Sequence, residues 1–216
     1  MKSALLAIAL GGFMVAALPV DTSVALTSVE KRGLYGNTAN ELGLCRAVTI
    51  IFARGTSEPG NIGLLAGPLF FDALQVAIGA GTFGVQGVPY SASILGYLEG
   101  GDPQGSQNLA ALTEKAASEC PNTKIILSGY SQGAQLVHNG ANMLSAAAAA
   151  RVVGVVMFGD PFDGQLFKYI KESIVDTFCF ATDLICKDTP IVDPAHLSYS
   201  FDAIPAAEYV KNLLGY

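Results

Sequence analysis

Gly129-Tyr130-Ser131-Gln132-Gly133 matches G-x-S-x-G, a pattern that can place a serine hydroxyl for attack on a carbonyl carbon. Alone the match is weak, but its surroundings strengthen it. It follows the apolar run Lys124–Ser128 (KIILS) and precedes the Ala-rich stretch 132–150, so it falls at a strand–turn–helix junction. There Ser131 would occupy a strained turn, with its hydroxyl at a helix N-terminus and the Gln132 N–H facing a developing oxyanion. A serine needs a base, and the chain has only two histidines. His138 lies seven residues along the same helix, about 10 Å away along its axis and out of reach, which points to a surface or core-edge role. His196, in the loop segment 191–199 (IVDPAHLSY), follows Ser131 in the order that a Ser…Asp/Glu…His arrangement requires. The acid should lie between them: Asp160, Asp163, Glu172, Asp176, Asp183, Asp188 and Asp193 qualify by position. Asp176 starts a strand and so faces the wrong end of a parallel sheet, and Asp188 and Asp193 read as loop caps. Asp160 is a fair rival, but Asp183 is favoured. It lies between Cys179 and Cys186, and a carboxylate that fixes an imidazole tautomer must be held rigidly.

The elements that would hold these groups alternate between two patterns. Continuous or β-branched apolar runs at 46–53, 85–93, 124–128, 152–158 and 174–180 read as five strands. Helical spacing marks 67–79, 106–119 (Ser106 as cap), 132–150 and 205–214. Strand alternating with helix implies one α/β domain, with a mostly parallel five-stranded sheet covered on both faces. There are no long internal repeats.

Composition narrows the function classes. With 12 Lys+Arg against 18 Asp+Glu, the net charge is −6 over 216 residues. An acidic chain this poor in cations is not built for nucleic acid or for anionic membranes. The apolar run from Ala4 to Leu18 is too short to span a bilayer and reads as the core of a signal peptide, residues 1–17, with Val15-Ala16-Ala17 before the cut. No stable membrane anchor is expected. Lys31-Arg32 suggests the end of a pro-segment, residues 18–32, leaving residues 33–216 as one catalytic domain and the protein secreted and extracellular. In that oxidising setting the four cysteines favour disulfides, with three possible pairings. Proximity favours Cys179–Cys186, which leaves Cys45–Cys120. With no C-x-x-C and two histidines, no metal site is expected.

Four segments together carry a family resemblance: Ala53-Arg54-Gly55-Thr56-Ser57-Glu58, the Ser131 motif, Thr182-Asp183-Leu184-Ile185-Cys186, and Ala195-His196-Leu197-Ser198-Tyr199. In this order they make the chain resemble the fungal cutinases, which share a compact α/β-hydrolase fold, a three-layer sandwich, with acetylxylan esterases. The resemblance implies Ser131 as nucleophile, His196 as base and Asp183 as orienting acid. It also implies the disulfides Cys45–Cys120 and Cys179–Cys186, and an oxyanion hole from the Thr56 hydroxyl and the Gln132 N–H. Many family members carry a Gly-Asp-Asn segment whose Asn supports the oxyanion hydroxyl. Here residues 96–102 (GYLEGGD) contain no Asn, which leaves open what supports Thr56.

The implied chemistry is ester hydrolysis through an acyl-enzyme, which needs no metal or organic cofactor. Ile94, Leu95, Ile191, Val192 and Leu197 would form apolar rims of a shallow cleft, suited to an insoluble polyester such as cutin or to small esters. Acetylxylan is the alternative substrate, though the chain has no Trp to serve as a sugar platform. A catalytically inactive secreted surface-binding protein is the alternative from another class, and the complete triad argues against it. A small hydrolase of this kind is expected to act as a monomer.

Overall fold

The computed structural model describes residues 35–187 and 189–216. The expected signal peptide (1–17) and pro-segment (18–32), and Asp188, lie outside the described residues.

Five strands form a single all-parallel sheet in the order β2-β1-β3-β4-β5. They are β1 (Val48–Ala53), β2 (Phe83–Gly87), β3 (Lys124–Tyr130), β4 (Val152–Phe158) and β5 (Val175–Phe178). Every residue of β1 is buried, as expected of a strand covered on both faces. Its side chains divide by the period of two. Val48, Ile50 and Phe52 join one core cluster with Phe70, Phe71, Leu74 and Val210, while Ile51 and Ala53 join another with Leu109, Leu136 and Val137. Helices α1 (Gly67–Ile78) and α6 (Ala203–Leu214) cover the first face. Helices α3 (Pro103–Glu119) and α4 (Gln132–Met143) cover the second. The result is a three-layer α/β/α sandwich.

Four departures from the expectations exceed two residues, each for a local reason. The second strand runs 83–87 rather than 85–93, because its ladder begins at Phe83 opposite Val48 and Pro89 follows its end. Ile94–Leu98 is a short helix, α2, capped by the Ser93 hydroxyl, which accepts the Gly96 N–H at 3.0 Å. Helix α3 begins at Pro103, not Ser106: the Asp102 carboxylate caps it at 2.7 Å from the Gly105 N–H. The Ala-rich stretch is broken after Met143, where Leu144 is extended and Ser145 caps a separate turn, α5 (Ala146–Ala149).

Both disulfides form as expected, Cys45–Cys120 and Cys179–Cys186. The first ties the segment entering β1 to the end of α3, and the second closes the loop that follows β5. Because all strands run the same way, the segments leaving β1, β3, β4 and β5 emerge along one edge of the sheet. In open α/β sheets this is the edge where sites are built.

Candidate active site

β3 passes into α4 through Ser131, whose backbone sits at φ 57° and ψ −121°. This is a strained conformation for a residue with a Cβ. It is held because the Ser131 N–H donates to the Phe158 carbonyl at the end of β4, 2.9 Å away. Close approach is also required: a Cβ on Gly133 would overlap the Ala53 carbonyl oxygen at the end of β1. The second glycine of the motif therefore brings the helix N-terminus, and the serine on it, against two strands at once.

His196 and Asp183 converge on this hydroxyl. Ser131 Oγ lies 2.9 Å from His196 Nε2, and His196 Nδ1 lies 2.8 Å from Asp183 Oδ2. All three residues are buried, Asp183 completely. The imidazole is fixed from several directions. Tyr130 stacks on it, with ring centroids 5.2 Å apart, and donates its hydroxyl to the His196 carbonyl at 2.8 Å. Burial pushes the Tyr130 phenol well above its ordinary value, so it remains a donor. Asp193 is the loop cap its sequence suggested, and it joins the segments that carry Asp183 and His196. One carboxylate oxygen accepts the Leu184 N–H at 2.9 Å, and the other accepts the N–H groups of Ala195 at 2.8 Å and His196 at 3.1 Å. These donors, led by Leu184, hold the Asp193 carboxyl below the usual range. Gly159, after β4, adopts φ 53°, and a Cβ there would lie 2.8 Å from His196 Cε1. Sequence reasoning passed over this glycine, which leaves room for the His196 ring.

Thr56 lies on the segment leaving β1. Its Oγ1 accepts a hydrogen bond from Gln132 Nε2 at 2.8 Å, and the same nitrogen donates to the Ser93 carbonyl at 2.8 Å. This supplies the support that the missing Asn left open. With a donor already on its oxygen, the Thr56 proton is free to point elsewhere. The segment itself is organised by Glu58. Its carboxylate accepts the N–H groups of Gly55, Leu64 and Leu65, at 2.8, 2.8 and 2.9 Å.

Ser131, His196 and Thr56 open into a cleft of about 320 Å³. Its apolar walls include Ile94 and Leu98 of α2 on one side and Val192 and Leu197 on the other. Tyr97 joins the two walls, donating its hydroxyl to the Thr189 carbonyl at 3.2 Å. Leu95 and Ile191, also expected at the rim, do not line the cleft and stand exposed beside it. The reason is geometric. Ile94, Tyr97 and Leu98 share one face of a helical turn, Leu95 falls on another, and Ile191 alternates with Pro190 and Val192.

His138 and Asp160 form a separate buried pair, Nε2 to Oδ2 2.8 Å, with His138 stacked on Phe167 at 4.6 Å between centroids. His138 is thus buried rather than at a surface or core edge, and the rival acid serves the other histidine. Among the described residues no group of His, Cys, Asp and Glu is arranged to hold a metal ion. Nor is any described helix long and apolar enough to cross a membrane.

The strand order, the turn at Ser131 and the position of the cleft define an α/β-hydrolase. The chain belongs to the cutinase family, whose profile matches residues 44–214. Cutinase pbc1 of Pyrenopeziza brassicae is 52% identical over 165 residues, covering 76% of this chain and 81% of that protein. A solved structure of Trichoderma reesei cutinase in complex with a C11Y4 phosphonate inhibitor is 41% identical with a TM-score of 0.79, covering 91% of this chain and 87% of that one. A solved acetyl xylan esterase shares the fold at 22% identity and TM-score 0.62, covering 79% of this chain and all of that one. The protein is a carboxylic ester hydrolase.

Proposed function

We propose that Ser131, His196 and Asp183 are the catalytic triad and that the enzyme is secreted and cleaves the ester bonds of cutin-like polyesters and short-chain esters. The observation that carries this reading is the unbroken path from Ser131 Oγ through the imidazole to Asp183, opening into an apolar cleft. His196 takes the Ser131 proton as Oγ bonds to the ester carbonyl carbon, and returns it to the departing alcohol. Water then repeats the sequence on the acyl-enzyme and releases the acid. The oxyanion is received by the Gln132 N–H and the Thr56 hydroxyl. Ile94, Leu98, Val192 and Leu197 are each half-exposed or more, a continuous apolar rim that suits an insoluble polyester better than a sugar chain. The two disulfides and the N-terminal leader favour an extracellular setting.

An alkyl phosphonate is expected to label the protein once, on Ser131, as read by peptide mass. The labelled enzyme should release no hydroxy fatty acid from cutin, whereas the free enzyme releases more from cutin than acetate from acetylated xylan. A label elsewhere overturns the triad assignment, and acetate as the main product overturns the substrate. Thr56→Ala should lower kcat on p-nitrophenyl butyrate by about 10²–10³-fold, whereas Thr56→Ser should keep most of it. Equal losses in the two variants would remove the hydroxyl from the oxyanion hole.

A further inference from the structure

Tyr199 closes the Ala195–Tyr199 motif. It is buried, with its ring stacked on Phe180 at 4.9 Å between centroids and edge-on to His196 at 6.1 Å. Its hydroxyl does more than fill space. It accepts the Phe180 N–H at 3.1 Å and lies 2.6 Å from Asp183 Oδ2, the same oxygen that meets His196 Nδ1. Since the N–H occupies an acceptor position on the hydroxyl, its one proton is directed to the carboxylate. Burial, reinforced by the hydrogen bond to Asp183, pushes the phenol far above its ordinary value, so this donor is never lost at working pH. The other carboxylate oxygen accepts the Ile185 N–H at 2.9 Å.

We propose that Tyr199 is a positioning residue of the reaction, acting through Asp183: its hydroxyl fixes the carboxylate against His196 and sets how strongly that carboxylate supports the imidazolium. The proposal rests on the triad reading given above. A buried anion sharing three donors has its charge spread and its plane fixed, so it holds one imidazole tautomer. It is also a weaker acceptor toward any one of them. Removing the hydroxyl should therefore have two effects of different kinds. The carboxylate gains freedom to turn, which slows the reaction. Its charge also falls more fully on His196, which stabilises the protonated base and moves the acid limb of activity upward.

Tyr199→Phe keeps the ring and removes only the oxygen. In this variant kcat/KM on p-nitrophenyl butyrate at its plateau should fall by about 10-fold or more, as for loss of a hydrogen bond to a charged group. The acid limb of the kcat/KM profile should rise by about half a pH unit. Titration of the His196 ring by NMR reads the same shift independently of rate, and thermal unfolding reports how much folded protein is present. A limb and a ring titration that stay in place, or move down, overturn the proposal, whatever the plateau loss, because a structural role predicts no upward shift. The phosphonate label separates this from the triad reading. Labelling at Ser131 with an unmoved limb removes the role of Tyr199 alone, whereas failure to label Ser131 in the parent enzyme removes the triad itself.

Discussion

Alanine in place of Ser131 is expected to lower kcat on p-nitrophenyl butyrate by about 10⁴-fold or more, and to do so without unfolding the protein. The two halves of this expectation come from different atoms. In the proposed triad Oγ is the attacking atom, and it lies 2.9 Å from His196 Nε2, so its loss removes the bond-forming group of that path. The backbone strain at φ 57° depends on the Cβ, which alanine retains, and the Ser131 N–H still reaches the Phe158 carbonyl. Thermal stability should fall by no more than about 1.5 kcal/mol, the net worth of the one hydrogen bond lost. The proposed oxyanion donors and the cleft remain intact, so a trace of rate above the uncatalysed reaction should survive. Full activity in a well-folded Ser131→Ala protein would mean that the ester is cleaved elsewhere. The other buried histidine, His138, would then need attention, since it lines a second cavity together with Asp163 and Phe167.

How much of this was readable in advance depended on how local the cause was. Ser131 was legible because strand, turn and helix are contiguous and the glycine at 133 records a close approach that only a hydrogen side chain permits. The β1, β3 and β4 strands were legible because burial on both faces leaves continuous apolar runs. Helix α2 was not, since five residues from Ile94 to Leu98 cannot display a helical period. The break at Leu144 was hidden by alanine, the best helix former, although Ser145 carried the capping signal. The site divides in the same way. The choice of Asp183 rested on a local cue, the enclosing cysteines, and the structure places its carboxylate against His196. The support of Thr56 by the Gln132 amide links positions 76 apart, and that of Asp183 by Tyr199 links positions 16 apart. Neither leaves a spacing rule in the chain, because both depend on how strand-end loops meet across the sheet edge.

Asp183→Asn is the substitution that most sharply separates charge and tautomer from shape. The parent carboxylate is acceptor-only and faces three donors: Ile185 N–H on Oδ1, and His196 Nδ1 and the Tyr199 hydroxyl on Oδ2. An amide has one oxygen and one NH₂ group, so no orientation satisfies all three. With its oxygen toward His196 and Tyr199, the NH₂ group opposes the Ile185 N–H, leaving a buried donor unpaired at a cost of about 1–3 kcal/mol. With the NH₂ group toward His196, Nδ1 must accept, and the proton moves to Nε2, where it blocks removal of the Ser131 proton. Either way the negative charge that supports the imidazolium is gone. A fall in kcat of about 10⁴-fold is expected, with the protein still folded. Asp160→Asn is the matched control. Its carboxylate pairs with His138 at 2.8 Å and also accepts the Phe162 N–H at 2.9 Å, so its loss should reduce thermal stability and leave kcat within a few-fold of the parent. A reversed result, with Asp160→Asn inactive and Asp183→Asn active, would transfer the orienting role to the other acid. A common loss in both would show that the variants fail through packing, since the two carboxylates serve different histidines.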